Sequence, residues 1–440
     1  MDAALLDKLR AIVGPPHVLT GVAVGPYVVE GRTPEAAVFP GSVDEVRAVV
    51  EVAAAAGAPV MPWGGGTAAA VGTPPSRTGL VLGLGRLARI LEHEPGDLTV
   101  TVEAGLTLAA LQAALRAQGQ WLSLDPPQAD RATLGGIVAA NAAGPRRHLY
   151  GTARDLVIGL TVVGADGALV RGGGKVVKNV AGYDLPKLFI GSYGTLGVIV
   201  TVTLKLRPLP DDERLVAVAF ERLKDAAAAA RALLGSDLIP NAVDLADTEG
   251  LAAMGLDLPA AAALLVGFDG LPEQVAWQCD ELARLASAFG GHTARVLPAE
   301  AWPRLAHGVR AAWSTPAAVM RLVVLPAAVA DVMEQGAGAA RQRGLPSAWT
   351  AHAGVGIVTG ALAIPPAPDG FTAVVSVLED WRRLARSAGG FAILEWAPLP
   401  VKSAVPVWDD PGGAGRIMQR IKTQLDPHGL FNPGRFVAGI

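Results

Sequence analysis

Pro62-Trp63-Gly64-Gly65-Gly66-Thr67 closes a short apolar run, Ala58 to Pro62, that reads as a strand. Three successive glycines expose backbone N–H groups with no side chain in the way, a nest suited to a phosphate or pyrophosphate. Upstream, Ser42 and Glu45 stand at capping-box spacing, where each can satisfy the other's free backbone N–H. The helix they open carries Val46, Val49, Val50 and Ala53 on one face and stops at Gly57. Helix, strand and glycine loop form one unit. The loop is not a Walker motif, since Gly174-Lys175 runs into Val176, and it lacks the Rossmann spacing. Taken alone, three glycines more often mark a tight turn.

Working outward, two further glycine clusters follow. Thr133-Leu134-Gly135-Gly136 leads to Asn141 and Gly144, with Thr133 placed to cap a short helix. Gly191-Ser192-Tyr193-Gly194-Thr195-Leu196-Gly197 runs into a strand, Val198 to Leu206. Between them the chain alternates. Leu80 to Leu84, Leu98 to Val102 and Leu156 to Val163 read as strands, Thr107 as the cap of a helix, and Asp166-Gly167 as a type I′ hairpin signal. Asp184 reads as the N-cap of a helix with Pro186 at its second position. Hairpins mixed with helices favour an α+β arrangement over a purely parallel sheet.

The clusters taken together, in this order, carry a resemblance that none carries alone. Pro62 to Thr67, Pro126-Pro127, Thr133 to Gly136, Asn141 to Gly144, Tyr150-Gly151, Asp155, Lys178-Asn179-Val180-Ala181-Gly182-Tyr183-Asp184-Leu185 and Gly194 to Gly197 resemble the FAD-binding domain of the vanillyl-alcohol oxidase/PCMH flavoprotein family. The stretch from Lys178 looks most like the glycolate oxidase and D-lactate dehydrogenase branch, and within it like the smaller FAD-binding subunit of bacterial glycolate oxidase. The resemblance implies an α+β, PCMH-type FAD-binding domain followed by a cap domain. It implies that Gly64, Gly65, Gly66 and Thr67 hold the FAD pyrophosphate and that Pro62 and Trp63 also belong to the cofactor site. Asp125, Pro126, Thr133, Gly135, Gly136, Asn141 and Gly144 line the rest of the cofactor, and Ile199 and Asn432 approach it. Covalent members often carry a histidine in or near the pyrophosphate loop. Here His17 and His93 are the nearest in sequence, so FAD is expected to be non-covalent.

The second half reads differently. After Asp211-Asp212-Glu213, strands (Leu215 to Phe220, Ala261 to Phe268, Met320 to Leu325, Ala351 to Val358, Phe391 to Leu394) alternate with helices. A mostly antiparallel sheet with one face covered by helices is expected. The domains expected are 1–36 (N-terminal helix and lead-in), 37–211 (FAD-binding), 212–397 (substrate or cap) and a tail, 398–440, that returns to the FAD domain. Larger relatives carry H-A-G-D-G-N-x-H, whose histidines help bind a divalent metal and substrate. The matching stretch here is His352-Ala353-Gly354-Val355-Gly356-Ile357-Val358. The acid and the second histidine are valines, so no catalytic metal is expected. Flavin oxidation of a 2-hydroxy acid needs an acceptor for the hydroxyl proton and a cation for the carboxylate. His352 is the candidate base, Arg310 and Arg321 the candidate carboxylate clamps, and Lys178 lies in the family segment near the flavin. Each also fits a purely structural role.

Composition bounds these readings. With 51% hydrophobic and 18% charged residues the chain can build a large core. A net charge of −3 makes no case for nucleic acid. One thiol, Cys279, excludes an internal disulfide and a cysteine-ligated iron–sulfur cluster. No segment reads as a membrane span. The N-terminus reads as an amphipathic helix rather than a signal peptide, so a cytoplasmic location is expected, with any membrane association through partners. Three readings stay open. One is an FAD-binding subunit of a glycolate oxidase-type complex, with a larger FAD subunit and an iron–sulfur subunit, acting on glycolate or D-lactate. The others are a self-sufficient FAD-dependent 2-hydroxy acid or small-alcohol oxidase, and a non-catalytic flavin-binding scaffold.

Overall fold

The computed structural model describes residues 2–175, 183–313, 317–364 and 370–440. The chain forms two compact units. The first takes the chain to Ala142, then Thr152–Leu209 and Asp410–Ile440; the second takes Ala143–Gly151 and Pro210–Asp409.

In the first unit the helix Val43–Ala55 buries the four residues its periodicity marks, Val46, Val49, Val50 and Ala53. Ser42 Oγ accepts the Glu45 N–H, while the Glu45 carboxylate takes the N–H of Gly41 rather than that of Ser42. The strand Val60–Trp63 pairs in parallel with Leu80–Gly83, which pairs in parallel with Ala36–Val38. Val18–Thr20 adds an antiparallel edge. A second sheet is antiparallel throughout, in the order Ile90–Glu94, Thr99–Glu103, Val198–Lys205, Val157–Val163, Leu169–Gly173. Thr107 and Thr133 cap the helices Leu108–Arg116 and Leu134–Ala140, as their positions predict.

Two local expectations need correction. The 163–169 hairpin is not type I′, because only Gly167 has a positive φ (74°). A turn closed by the Gly167 N–H to Gly164 O is followed by that left-handed glycine, a bulged hairpin that needs one special residue instead of two. The helix Pro186–Phe189 has Leu185, not Asp184, at its N-cap, with Pro186 as its first residue.

The second unit is one antiparallel sheet of eight strands. Their order is His292–Leu297, Asp212–Phe220, Ala262–Gly270, Ala242–Asp247, Ser347–His352, Ile357–Ala363, Ala317–Val323, Phe391–Trp396. Alternate residues face opposite sides. Val216, Val218 and Phe220 pack with the helices Leu223–Leu234, Pro272–Ser287, Val329–Gln342 and Gly370–Ser387. Leu215, Ala217 and Ala219 pack the other way, with Leu251, Trp302 and Leu305. The sheet is therefore covered over part of its second face too, by Thr248–Ala253 and Ala301–His307, contrary to the expectation of one covered face. The stretch expected as one strand from Ala351 to Val358 is two. Gly356, at φ 71°, turns the chain between them, so the His352-Ala353-Gly354 segment sits at a hairpin tip.

Candidate functional site

A cleft opens in the first unit. The parallel strand Val60–Trp63 delivers the glycine loop to it, and the capped helix Leu134–Ala140 delivers Gly135 and Gly136. Of the residues expected to hold a cofactor, Pro62, Trp63, Gly64, Gly65, Gly66, Thr67, Thr133, Gly135, Gly136, Ile199 and Asn432 line this cleft. The loop glycines are sterically required. A Cβ on Gly64 would fall 2.1 Å from Thr133 Oγ1, and one on Gly65 1.7 Å from the Arg131 carbonyl oxygen.

Four expected residues lie elsewhere. Asp125 and Pro126 do not line the cleft. Asn141 caps its helix in the left-handed region (φ 47°), and its Oδ1 accepts the Arg154 N–H at 3.2 Å. Gly144 belongs to the second unit. Lys178 lies outside the described residues.

The tail builds one wall. Val60 N–H donates to Leu430 O and Asn432 N–H to Val60 O, so the tail runs beside the strand that ends in the glycine loop. Asn432 Nδ2 donates to Tyr193 O at 2.8 Å. Its Oδ1 is buried with no hydrogen-bond partner among the described residues. A buried acceptor left open costs about 1–3 kcal/mol, which marks it for a ligand donor. Sequence reading missed three supporting residues. Arg435 donates to the carbonyls of Ala69, Val71 and Thr73, and burial lowers its pKa to about 10. Lys422 Nζ, in the helix Ala414–Leu425, reaches Thr195 O, Phe431 O and Asp426 Oδ2 at 2.7–2.9 Å. Asp426 in turn accepts the N–H groups of Leu430 and Phe431. The Leu425 to Arg435 stretch was the available signal, but its long-range partners are invisible in one dimension.

The second unit holds a polar cluster on one face of its sheet. Val243, Ala351 and Leu394 point to the face of the four long helices, so Asp244, His352 and Glu395 point to the other. His352 Nδ1 lies 3.0 Å from both oxygens of Asp244. The candidate carboxylate clamps are already engaged. Arg310 forks onto Glu395 at 2.7 and 3.1 Å, and Arg321 Nε lies 3.1 Å from Glu395 Oε1. Glu395 is buried, which opposes ionisation, but Arg310 and Arg321 overcome this and hold its pKa near about 2. Each arginine therefore already has a protein carboxylate as partner. Among the described residues no three His, Cys, Asp or Glu side chains gather as a metal ion requires. No helix among them is long and apolar enough to cross a membrane.

Comparison with known proteins gives these sites a setting. A family pattern described as FAD binding domain matches residues 34–173, and one described as FAD linked oxidases, C-terminal domain, matches 209–395 and 410–436. The D-2-hydroxyglutarate dehydrogenase of Xanthomonas citri pv. viticola is 32% identical over 437 residues, covering 91% of this chain and 89% of that one. The chain belongs to the FAD-linked oxidases. Glycolate oxidase subunit GlcD of Bacillus subtilis is 36% identical over 248 residues, 55% of this chain and 53% of the relative, so the match spans about half of that protein's length. The fold is that of p-cresol methylhydroxylase, whose substrate-bound crystal structure superposes with a TM-score of 0.78 at 20% identity, over 99% of this chain and 96% of that one. The oxidase is thus a PCMH-type flavoprotein of the glycolate oxidase and D-lactate dehydrogenase branch. Its cleft fits the cofactor the family implies. The glycine loop leaves a cradle that any Cβ would fill, and Asn432 Oδ1 offers an unused acceptor.

Proposed function

We propose that this FAD-linked oxidoreductase oxidises a 2-hydroxy acid of the glycolate or D-lactate type to the 2-oxo acid, as the FAD-binding subunit of a glycolate oxidase-type complex. Bound FAD supplies the acceptor for the hydride that leaves C2. Gly64, Gly65, Gly66 and Thr67 hold its pyrophosphate, Thr133, Gly135 and Gly136 flank it, and Asn432 accepts one of its donors. Attachment is read as non-covalent because the glycine-loop sequence, Pro62 to Thr67, carries no histidine. His352 takes the hydroxyl proton of the substrate. The Arg310–Glu395–Arg321 group carries a net positive charge, which favours a carboxylate nearby. Electrons leave through an iron–sulfur partner, because a lone Cys279 cannot ligate a cluster. The observation that carries the reading is the pairing of His352 with Asp244, an arrangement suited to proton acceptance, in a chain that also builds the FAD cleft.

The test uses the purified full chain. Denaturation is expected to release the flavin into the supernatant; flavin that stays with the precipitate overturns the non-covalent assignment. Glycolate or D-lactate added anaerobically is expected to bleach the visible flavin bands. Bands unchanged by either acid overturn the substrate assignment. Co-purification from the native source is expected to bring down an iron–sulfur protein and a larger flavoprotein.

A further inference from the structure

Asp244 and His352 stand directly opposite each other on neighbouring antiparallel strands. Asp244 lies on the strand Ala242–Asp247, which is held on both sides, by Ala262–Gly270 and Ser347–His352. Its side chain is 3% exposed and that of His352 is 16% exposed. A carboxylate this deep in a sheet requires donors, and the imidazole presents Nδ1 to both of its oxygens at 3.0 Å. A neutral imidazole carries one N–H and one lone pair, and the hydrogen bond at one nitrogen decides which is which. Facing an acceptor-only carboxylate, Nδ1 keeps the proton and Nε2 keeps the lone pair.

We propose that Asp244 is a positioning residue: it holds His352 as the Nδ1–H tautomer, so that Nε2 is the atom that accepts the hydroxyl proton of a 2-hydroxy acid. The proton-acceptance half rests on the function proposed above; the positioning half does not. In the transfer the substrate O–H bond breaks, its electron pair stays on oxygen, and the new bond is Nε2–H. The Nδ1 proton does not move. Asp244 remains ionised and stabilises the positive charge gained by the ring, as a carboxylate does behind any imidazole base.

The surrounding charges are compatible with this role. Glu395 acts on His352 electrostatically and is itself clasped by Arg310 and Arg321. His148 also faces Asp244. Burial lowers the His148 pKa, against the pull of Asp244, and its Nδ1 is buried without a hydrogen-bond partner among the described residues. No hydrogen bond joins it to Asp244, so the hydrogen bond that orients the carboxylate comes from His352.

The experiment is long-range ¹H–¹⁵N NMR on the full chain with ¹⁵N-labelled histidine, the His352 signals being assigned by their loss in His352→Gln. The wild type is expected to show Nδ1–H at His352. Asp244→Asn is expected to lose that preference, because its amide can donate where the carboxylate only accepts. The same variant should slow anaerobic flavin reduction by at least about a hundredfold, with substrate half-saturation little changed. An Nε2–H tautomer in the wild type overturns the proposal without any variant having to fold. So does an Asn variant that keeps both tautomer and rate. A wild-type Nδ1–H signal in a chain whose flavin no 2-hydroxy acid reduces would support the positioning and overturn the proposed reaction.

Discussion

Gly65 has no room for a side chain, and the reason is backbone rather than conformation: the obstacle is the Arg131 carbonyl oxygen, 1.7 Å from where a Cβ would sit. Gly65→Ala must therefore move the loop or the 131 segment. The expected outcome is FAD binding weakened by tenfold or more, read by titrating apoprotein, while Gly96→Ala, which meets nothing within 4 Å, leaves it unchanged. Equal affinities in the two variants would remove the loop from the cofactor site. Asp247 gives a pH prediction in the other unit. Burial raises its pKa from 3.8 to about 6, although its carboxylate accepts the N–H groups of Trp349 and Gly250. Between about pH 4 and 6 the folded state holds a proton that the unfolded chain has released. Stability therefore falls as pH rises through that window, by on the order of 3 kcal/mol. Asp247→Asn keeps an acceptor for both N–H groups and removes the charge. It should raise stability in urea unfolding at pH 7.5 and change it little at pH 4.5. An increment equal at both values would show that charge burial is not the cause.

Among the elements, caps were legible in the sequence and cross-chain partners were not. Ser42, Thr107 and Thr133 each accept an N–H three residues on, a contact that needs no knowledge of the fold. The glycine loop was legible for the same reason. Asp244 was not, because its partner His352 lies 108 positions away. Its strand was also missed: Ala242–Asp247 is buried on both faces, so its sequence loses the alternation that betrays a half-exposed strand. Arg310 and Arg321 were noticed as cations, but Glu395 was passed over because only the sheet brings it to them. The tail helix Ala414–Leu425 shows the consequence at this scale. Its periodicity gives a helix, yet what fixes it is one buried ammonium, Lys422, reaching Thr195 O and Phe431 O. Lys422→Met should destabilise the first unit by about 3–5 kcal/mol, since it leaves the fully buried Asp426 without its counter-charge. The double variant Lys422→Met/Asp426→Asn should recover part of that loss. Both should bind FAD more weakly than wild type, because Asn432 depends on the same turn. A tail that tolerates Lys422→Met without loss of stability or cofactor would show that the apolar contacts of Leu430 and Phe431 suffice.

For the whole molecule, what matters is that two units with separate cores divide the chemistry. The Val46, Leu82, Val200 and Phe431 core belongs to the first, and the Phe220, Trp349 and Trp381 core to the second. Among the described residues, those lining the cleft that fits FAD belong to the first unit, and the His352–Asp244 pair belongs to the second. A ligand that binds only the folded form stabilises it by RT ln(1 + [L]/Kd), about 4 kcal/mol at a thousandfold excess over Kd. That free energy should appear where the ligand binds. Removing FAD and following backbone hydrogen exchange should therefore speed exchange in Val60–Trp63, Leu80–Gly83 and Val198–Lys205. Exchange in Ala242–Asp247 and Ser347–His352 should change little. The comparison is internal to one sample, so loss of protein or a general drop in stability cannot mimic it. Equal acceleration in both sheets would overturn the assignment of the cofactor to the first unit. Acceleration confined to the eight-stranded sheet would place it in the second, and the glycine loop would then be no more than a tight turn.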